Sequence, residues 1–227
     1  SSVRVSFTNK TELVGQPKVT RRQGSLTSMT VRAVCVECNS GWMSRIEEEA
    51  RPILMPLIVG TTTTLCEAAI RTLSEWVTLK VMVAEHSPPP DPAIRLADKH
   101  TFYRARTIPD GISINLFWCG APEWRIAYRR ASATLSVRQH PNYDTRPKNA
   151  ASIAFALGEL FIHVVYFGDP EVRKLSLVGQ RHGLAAWPPH AAELRWPPPL
   201  RISSDQAQVV SDAFQRFQNS PSVKVAP

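Results

Sequence analysis

Two cysteines that are separated by two residues, Cys35 and Cys38, carry the clearest chemistry in this sequence. Thiolates at this spacing, on a turn that leads from a strand into a helix, point at a common site and can bind one tetrahedral metal ion from one side. A structural zinc site needs four ligands, so the pair supplies half of one. The other two cysteines, Cys66 and Cys119, stand alone, and we expect both to be buried as small apolar side chains.

A redox function is the alternative for this spacing. Thioredoxin-like proteins also contain Cys-x-x-Cys, but there the pair opens a helix inside a βαβ unit. No parallel α/β pattern surrounds Cys35 and Cys38 in this sequence. We therefore interpret the two cysteines as metal ligands.

The residues that follow the pair extend it into a longer motif, Cys35-Val-Glu-Cys38-Asn39-Ser-Gly-Trp42-Met-Ser-Arg-Ile-Glu47. This motif resembles the second half of the HNH nuclease motif, also called the ββα-metal or His-Me finger. In particular it is similar to bacterial proteins in which Cys-x-x-Cys-Asn-x-Gly-Trp opens the helix of the finger. Weaker resemblance continues through residues 52–58, the helix of Trp76 and the late Trp-Pro segments.

The resemblance implies an endonuclease that hydrolyses DNA phosphodiesters with a divalent metal, or a protein derived from one. It assigns Cys35 and Cys38 as ligands of a structural zinc ion. It makes Asn39 a catalytic residue that helps to hold magnesium or manganese, for which an amide oxygen is a suitable hard ligand, or that orients the catalytic histidine. Arg32 and Arg45 flank the motif and are assigned to phosphate contacts.

The sequence departs from the family where the catalytic histidine is expected. In the family an earlier Cys-x-x-Cys completes the zinc site, and a carboxylate-His pair on the first strand supplies the general base. No His or Cys precedes Cys35 here, and all six histidines follow it. The chain also does not begin with Met, which we interpret as processing or truncation. We therefore expect it to be catalytically inactive unless a second chain or a missing N-terminal segment completes the finger.

We do not expect any of the later histidines to replace the missing catalytic histidine. Glu85-His86 imitates a carboxylate-His pair, but it ends a long predicted helix and does not lie on a first strand. His163 lies in an apolar strand and is expected to be a satisfied core residue, whereas His140 and His190 stand beside prolines in predicted loops. We assign no metal to any of them.

The charge balance favours a polyanionic partner. There are 27 Lys and Arg against 19 Asp and Glu, which gives a net charge of +8 and a pI near 9.7. We expect the partner to be nucleic acid, and in particular DNA. Lys18, Arg21 and Arg22 precede a hairpin turn and are predicted to contact the backbone of the nucleic acid. The alternative is that they form a merely solvated face. A non-catalytic module with a degenerate zinc finger, which binds nucleic acid or protein, also remains open.

The location follows from what the sequence does not contain. The apolar runs are too short to span a membrane, and the N-terminal residues lack the pattern of a signal peptide. A cysteine pair without a secretion signal indicates a reducing compartment. We expect a cytoplasmic protein with no membrane partner.

The elements that must position the motif suggest an α+β fold. Strands and a hairpin turn at Gly24 should precede Cys35, and a helix that starts at Asn39 or Ser40 should end or kink at Pro52. Because Pro56 repeats the interruption, residues 53–58 are predicted to form a separate turn or short helix. Further predicted elements are a long internal helix over 65–85, strands over 112–119, 124–137, 152–157 and 159–167, and a helix over 204–217.

A proline-rich segment at 87–92 marks the predicted boundary between two domains. Residues 1–86 would form a partial HNH-like finger with helical support, and residues 87–227 an antiparallel β-rich domain with a C-terminal helix. Trp187 and Trp196 each precede a run of prolines, and we expect both indoles to pack on the protein's own core.

Overall fold

The computed structural model describes residues 3–7, 34–86, 92–121, 126–136, 147–173, 183–212 and 223–225. The helices are α1 (Val36–Cys38), α2 (Ser44–Ile58), α3 (Glu67–Ala84), α4 (Leu96–Ala105), α5 (Pro170–Arg173) and α6 (Ser204–Ser211), and a π-helical turn (Asn39–Met43) joins α1 to α2. The strands are β1 (Val3–Phe7), β2 (Thr63–Cys66), β3 (Ile112–Cys119), β4 (Ile126–Ser136), β5 (Ala150–Leu157), β6 (Leu160–Phe167), β7 (Leu184–Trp187), β8 (Glu193–Trp196), β9 (Arg201–Ile202) and β10 (Val223–Val225).

The fold is α+β, as the sequence predicted. Seven strands form a sheet in the order β10-β1-β4-β5-β6-β3-β7, and β9 adds to the end of β3. Neighbours are antiparallel except for the parallel pairs β1–β10 and β3–β9. A separate small sheet pairs β2 with β8. No helix in the described ranges is long and apolar enough to cross a membrane.

Helices cover the large sheet on both faces, which explains the continuous apolar sequence of its central strands. Every residue of β6 is buried. One face packs on α2, α3 and α4 through residues such as Ile114 and Val164, and the other packs on α6 through Phe117 and Phe161. Alternate residues of one strand thus enter two different layers, because successive side chains point to opposite faces.

Helix α2 corrects the prediction that Pro52 ends or kinks a helix and that Pro56 interrupts the chain again. It runs without a break through both prolines. The two prolines are four residues apart, so both missing N–H groups fall on one side of the helix. Pro52 is exposed, and the opposite side buries residues such as Ala50 and Leu57. This burial offsets the lost backbone hydrogen bonds, each of which costs about 3 kcal/mol in a helix without such support.

The start of the internal helix also differs from the prediction. Residues 63–66 pair with β8, so α3 begins at Glu67 and ends at Ala84. Leu65 of β2 points into the core and Cys66 therefore points outward. Cys66 is exposed, which makes the expected burial wrong, whereas Cys119 is buried as expected.

The hairpin β5–β6 agrees closely with the sequence. Gly158 has a φ of 59°, in the left-handed region that glycine adopts without strain. Beside it the Glu159 N–H donates to the Ile58 carbonyl, with 2.8 Å between nitrogen and oxygen, and Ile58 is the last residue of α2. The turn of the hairpin is thereby joined to the end of the helix that follows the cysteine pair.

Several N-terminal predictions fall outside the described residues. Residues 8–33, which include the hairpin turn at Gly24, are not described, and Val34 and Cys35 lie in no strand. Strand β1 pairs with β4 and β10. The hydrophobic core includes residues from both sides of the proposed boundary at 86 and 87, such as Met43 and Trp196. The two-domain division stays a prediction.

The late Trp-Pro segments pack inward as predicted. Trp196 is 1% exposed and Trp187 packs, partly buried, against the same core. Both tryptophans are followed by cis prolines. Helix α6 begins at Ser204 as expected, and residues 213–217 of the predicted helix are not described.

Candidate metal centre

Cys35 and Cys38 lie on one tight turn that brings their thiols together. Cys35 has an extended conformation and caps α1, and its sulfur accepts a hydrogen bond from the Cys38 N–H at 3.3 Å. Its carbonyl accepts the Asn39 N–H at 3.0 Å. Cys35 is exposed and Cys38 is half-buried. The pair is therefore open to an ion, and aliphatic side chains do not seal it off.

Cys38 also influences the protonation of the Cys35 thiol. A side-chain hydrogen bond with Cys38 is the largest cause that raises the pKa of the Cys35 thiol, while the Cys38 backbone N–H opposes it. The Glu37 carboxyl has a lowered pKa, first because its own backbone N–H bonds to it and then because Cys35 does. Metal binding would have to displace the protons from both sulfurs.

The donor set fits part of a zinc site. Thiolates are soft ligands and suit zinc. Two sulfurs are present on the turn, and the described part of the chain holds no group of three or more His, Cys, Asp or Glu side chains that could bind a metal ion. The arrangement therefore provides two of the four ligands of a structural site.

Asn39 follows the pair directly and is exposed at the start of the π-helical turn. Gly41 leaves helical geometry inside this segment, with φ −97° and ψ −108°, so the chain kinks between α1 and α2. The Ser40 hydroxyl donates to the Val36 carbonyl at 2.8 Å and stabilises the same turn. Asn39 is therefore an exposed residue directly after the pair, and its role in holding a catalytic metal or orienting a histidine stays a prediction.

Trp42 connects the turn to α4. Its indole lies 6.2 Å from the ring of Phe102 and 5.7 Å from the ring of Tyr103, measured between centroids. The guanidinium carbon of Arg106 lies 3.7 Å from the centroid of the Trp42 ring. Burial lowers the pKa of Arg106, and the Arg45 charge adds to this while Glu75 and Cys38 oppose it. Arg106 therefore lies close enough to Arg45 and Cys38 for their charges to affect it.

Sequence reasoning missed Arg106, because nothing in the local pattern marks it. It lies 64 residues after Trp42 by position, at the end of a helix that was not predicted. Of the predicted nucleic-acid contacts, Arg45 is exposed on the first turn of α2. The others, Lys18, Arg21, Arg22 and Arg32, lie outside the described residues.

Glu85 of the Glu85-His86 pair makes structural contacts within the fold. Glu85 is buried and accepts hydrogen bonds from the N–H groups of Ala93 at 2.7 Å and Ile94 at 3.0 Å. Its second oxygen lies 2.9 Å from the Lys99 ammonium. His86 is exposed, and its pKa is lowered first by partial burial and then by the charge of Lys99. The carboxylate of this pair therefore organises the segment that leads into α4.

The other histidines behave largely as predicted. His163 is 1% exposed and shares a 2.9 Å hydrogen bond with the Ser152 hydroxyl, so it is a satisfied core residue. His190 is exposed in the turn between β7 and β8. His140 lies outside the described residues.

Comparisons with protein-family models, with curated proteins and with solved structures found no match for this chain. The cysteine turn and its surroundings are therefore the features of this chain that point to a function.

Proposed function

We propose that this chain belongs to an HNH-type nuclease, or to a protein derived from one, that acts on DNA phosphodiesters with a divalent metal. The observation that carries the proposal is the exposed turn on which the thiols of Cys35 and Cys38 adjoin each other, with Asn39 as the next residue. The net charge of +8 favours a polyanionic substrate.

The residues of this chain would have distinct roles in such a site. Cys35 and Cys38 would hold one side of a structural zinc ion, which replaces the core that a small finger cannot build. Asn39 would offer its amide oxygen to a magnesium or manganese ion or orient the catalytic histidine, and the exposed Arg45 would contact a phosphate. Such a catalytic metal, when bound, stabilises the negative charge that develops on the leaving oxygen.

The remaining parts of the motif would come from outside the described residues. A second pair of zinc ligands and a carboxylate-His pair would be supplied by a preceding segment of a longer protein or by a second chain. Without them we expect this chain alone to be catalytically inactive. We place the protein in the cytoplasm, where the thiols of Cys35 and Cys38 stay reduced and available to a metal.

The zinc site is tested by measuring the metal content of the protein that is encoded by the longest open reading frame containing this chain. We expect about one zinc ion per chain, as for a completed structural site. The Cys35→Ser and Cys38→Ser variants should lose that zinc. Cys66→Ser is the matched control, because Cys66 is also exposed but stands apart from the turn. Equal zinc in all four proteins would contradict the proposal.

A nuclease assay on the same longer protein tests the activity. Plasmid DNA should be nicked in magnesium or manganese and left intact in EDTA, and Asn39→Ala should reduce the rate about 100-fold or more if Asn39 holds the catalytic metal. An upstream sequence that contains neither a Cys-x-x-Cys nor a carboxylate-His pair would exclude the enzyme.

A non-catalytic binding module is the second candidate. The observation that favours it concerns the carboxylate-His pair of Glu85 and His86. The Glu85 carboxylate binds Ala93, Ile94 and Lys99 in the core and is therefore engaged in structure. In this case zinc would bind and nucleic acid or a protein partner would associate, but no divalent ion would produce nicking. The two assays together separate the candidates.

A further inference from the structure

The C-terminal end of α4 holds a guanidinium group in a fixed orientation beside the cysteine pair. Arg106 adopts a left-handed backbone conformation with φ 55°. Its Nη1 donates to the carbonyl oxygens of Phe102 at 3.1 Å and Tyr103 at 2.5 Å, and the group lies over the Trp42 ring. A guanidinium that is already ordered loses little conformational freedom when it binds an anion.

Arg106 keeps hydrogen-bonding capacity for such an anion. Among the described residues, none accepts a hydrogen bond from its Nε or Nη2. Glu75, which offsets some of its charge, is also paired with Arg71 at 3.2 Å. Arg45 is near enough to affect Arg106 and forms no ion pair with a described acid. Two neighbouring positive charges repel each other, and a bound anion would remove that repulsion.

An exposed aromatic ring adjoins these charges. Tyr103 is 50% exposed, and its ring is tilted by 59° against that of Trp42. Trp42 packs against the Tyr103 ring, and Tyr103 is exposed enough for a planar group to reach it. Cationic groups beside exposed aromatic rings are the combination with which proteins bind unpaired nucleotides.

We propose that Arg106, together with Arg45, binds a phosphate of a nucleic-acid strand whose unpaired base stacks on Tyr103. This inference rests on the proposed function, because it identifies where the nucleic acid would lie next to the cysteine turn. The net charge of +8 is complementary to such a strand. A duplex is a poorer ligand, because its bases are stacked on each other and cannot reach the ring.

Fluorescence anisotropy in EDTA tests the site apart from any cleavage. The probes are a labelled oligothymidylate of about 20 nucleotides and a duplex of the same length. The wild-type chain should bind the single strand more tightly than the duplex. Tyr103→Ala should weaken single-strand binding about 10-fold without changing its salt dependence, since stacking releases no counterion. Tyr103→Phe keeps the ring and should bind as the wild type does.

Substitution of Arg106 should change the salt dependence of binding as well as the affinity. Arg106→Ala should weaken binding and reduce the slope of log affinity against log salt by about 0.7, the value for one lost phosphate contact on a single strand. Arg106→Lys keeps the charge and should keep the slope, but it should bind more weakly because the planar contact with Trp42 is lost. Arg195→Ala is the matched control, because Arg195 is an exposed arginine on β8.

The results separate this inference from the proposed function. Wild-type binding that survives unchanged in Tyr103→Ala and Arg106→Ala would overturn the inference and leave a nucleic-acid partner in place. Failure of the wild type to bind the single strand, or preference for the duplex, would also overturn it. Zinc content and metal-dependent nicking of the longer protein would still be decided by their own assays.

Discussion

The Lys99 ammonium lies 2.9 Å from a carboxylate oxygen of Glu85, whose side chain is 1% exposed. Glu85 also accepts two backbone N–H groups from the segment that precedes α4, so this one carboxylate joins the end of α3 to the start of α4. Lys99→Met leaves the carboxylate without its counter-charge in the core. We expect it to lower the free energy of unfolding by about 3 kcal/mol.

Urea denaturation measures this effect, and an exposed ion pair provides the control. Arg71 and Glu75 form an i,i+4 pair in which the arginine side chain is 66% exposed. Arg71→Ala should cost about 0.5 kcal/mol or less, as is usual for surface pairs. Similar losses in Lys99→Met and Arg71→Ala would show that the Glu85 carboxylate does not depend on Lys99.

Gly158 should tolerate no side chain. A Cβ atom there would lie 2.3 Å from the Ile58 carbonyl oxygen, and the φ of 59° is unfavourable for any other residue. Gly158→Ala should therefore destabilise the protein by about 2 kcal/mol, as measured by thermal or urea unfolding. Thr62→Ala is the control, because Thr62 is exposed just before β2 and surface substitutions change stability little. Equal stability of the two variants would contradict the docking of the hairpin turn on α2.

Tyr166 should make the protein sensitive to alkaline pH. Its hydroxyl donates to Asp98 at 2.6 Å and accepts the Arg95 N–H at 3.2 Å. Burial raises the pKa of Tyr166 to about 12, whereas in the unfolded chain it is about 10. The folded state therefore binds the proton more tightly, so the contribution to stability is complete below pH of about 10 and is lost as the pH rises towards about 12.

Unfolding free energies of the wild type and Tyr166→Phe over the alkaline range test this sign. The variant should lose stability less steeply above pH of about 10 than the wild type, because it has no hydroxyl to titrate. Part of the steepness should remain, since burial also raises the pKa of Tyr128 to about 12. Tyr103→Phe, at an exposed position, should follow the wild type. A steeper loss in Tyr166→Phe would exclude the explanation.

Ser203 should stabilise the start of α6. Its hydroxyl accepts the Gln206 N–H at 3.2 Å, and the Gln206 side chain accepts the Ser203 N–H at 2.8 Å, which completes a capping box. Ser203→Ala should cost about 1 kcal/mol in unfolding free energy, and Ser203→Asp should be close to the wild type because aspartate also caps. A loss as large in the aspartate variant as in the alanine variant would contradict this role.

The sequence predicted the strands β3 to β6 well because their signals are local. The strands around Gly158 are apolar, and glycine is the natural residue for a left-handed turn. It predicted α2 poorly, because Pro52 and Pro56 are strong local signals against a helix. The decision came from the packing of Ala50 and Leu57, which depends on partners that are distant in sequence.

The exposure of Cys66 was also decided by partners that are distant in sequence. A cysteine without neighbours of metal-binding type is usually buried. Here β2 pairs with β8, and the alternation of the strand places Leu65 inward and Cys66 outward. The side chain's exposure follows from a strand pairing between residues about 130 positions apart, which no local pattern contains.

By itself the sequence determined that residues 35–39 form a turn with two thiols and an adjacent amide, because spacing of two residues and the helix that follows are local properties. Tertiary structure decided that Arg106 comes to lie over Trp42 and near Arg45, since that contact joins α4 to the turn across the fold. The physical reason is that ligand spacing is a property of a few consecutive residues, whereas the electrostatic surroundings of a site depend on which distant elements pack beside it.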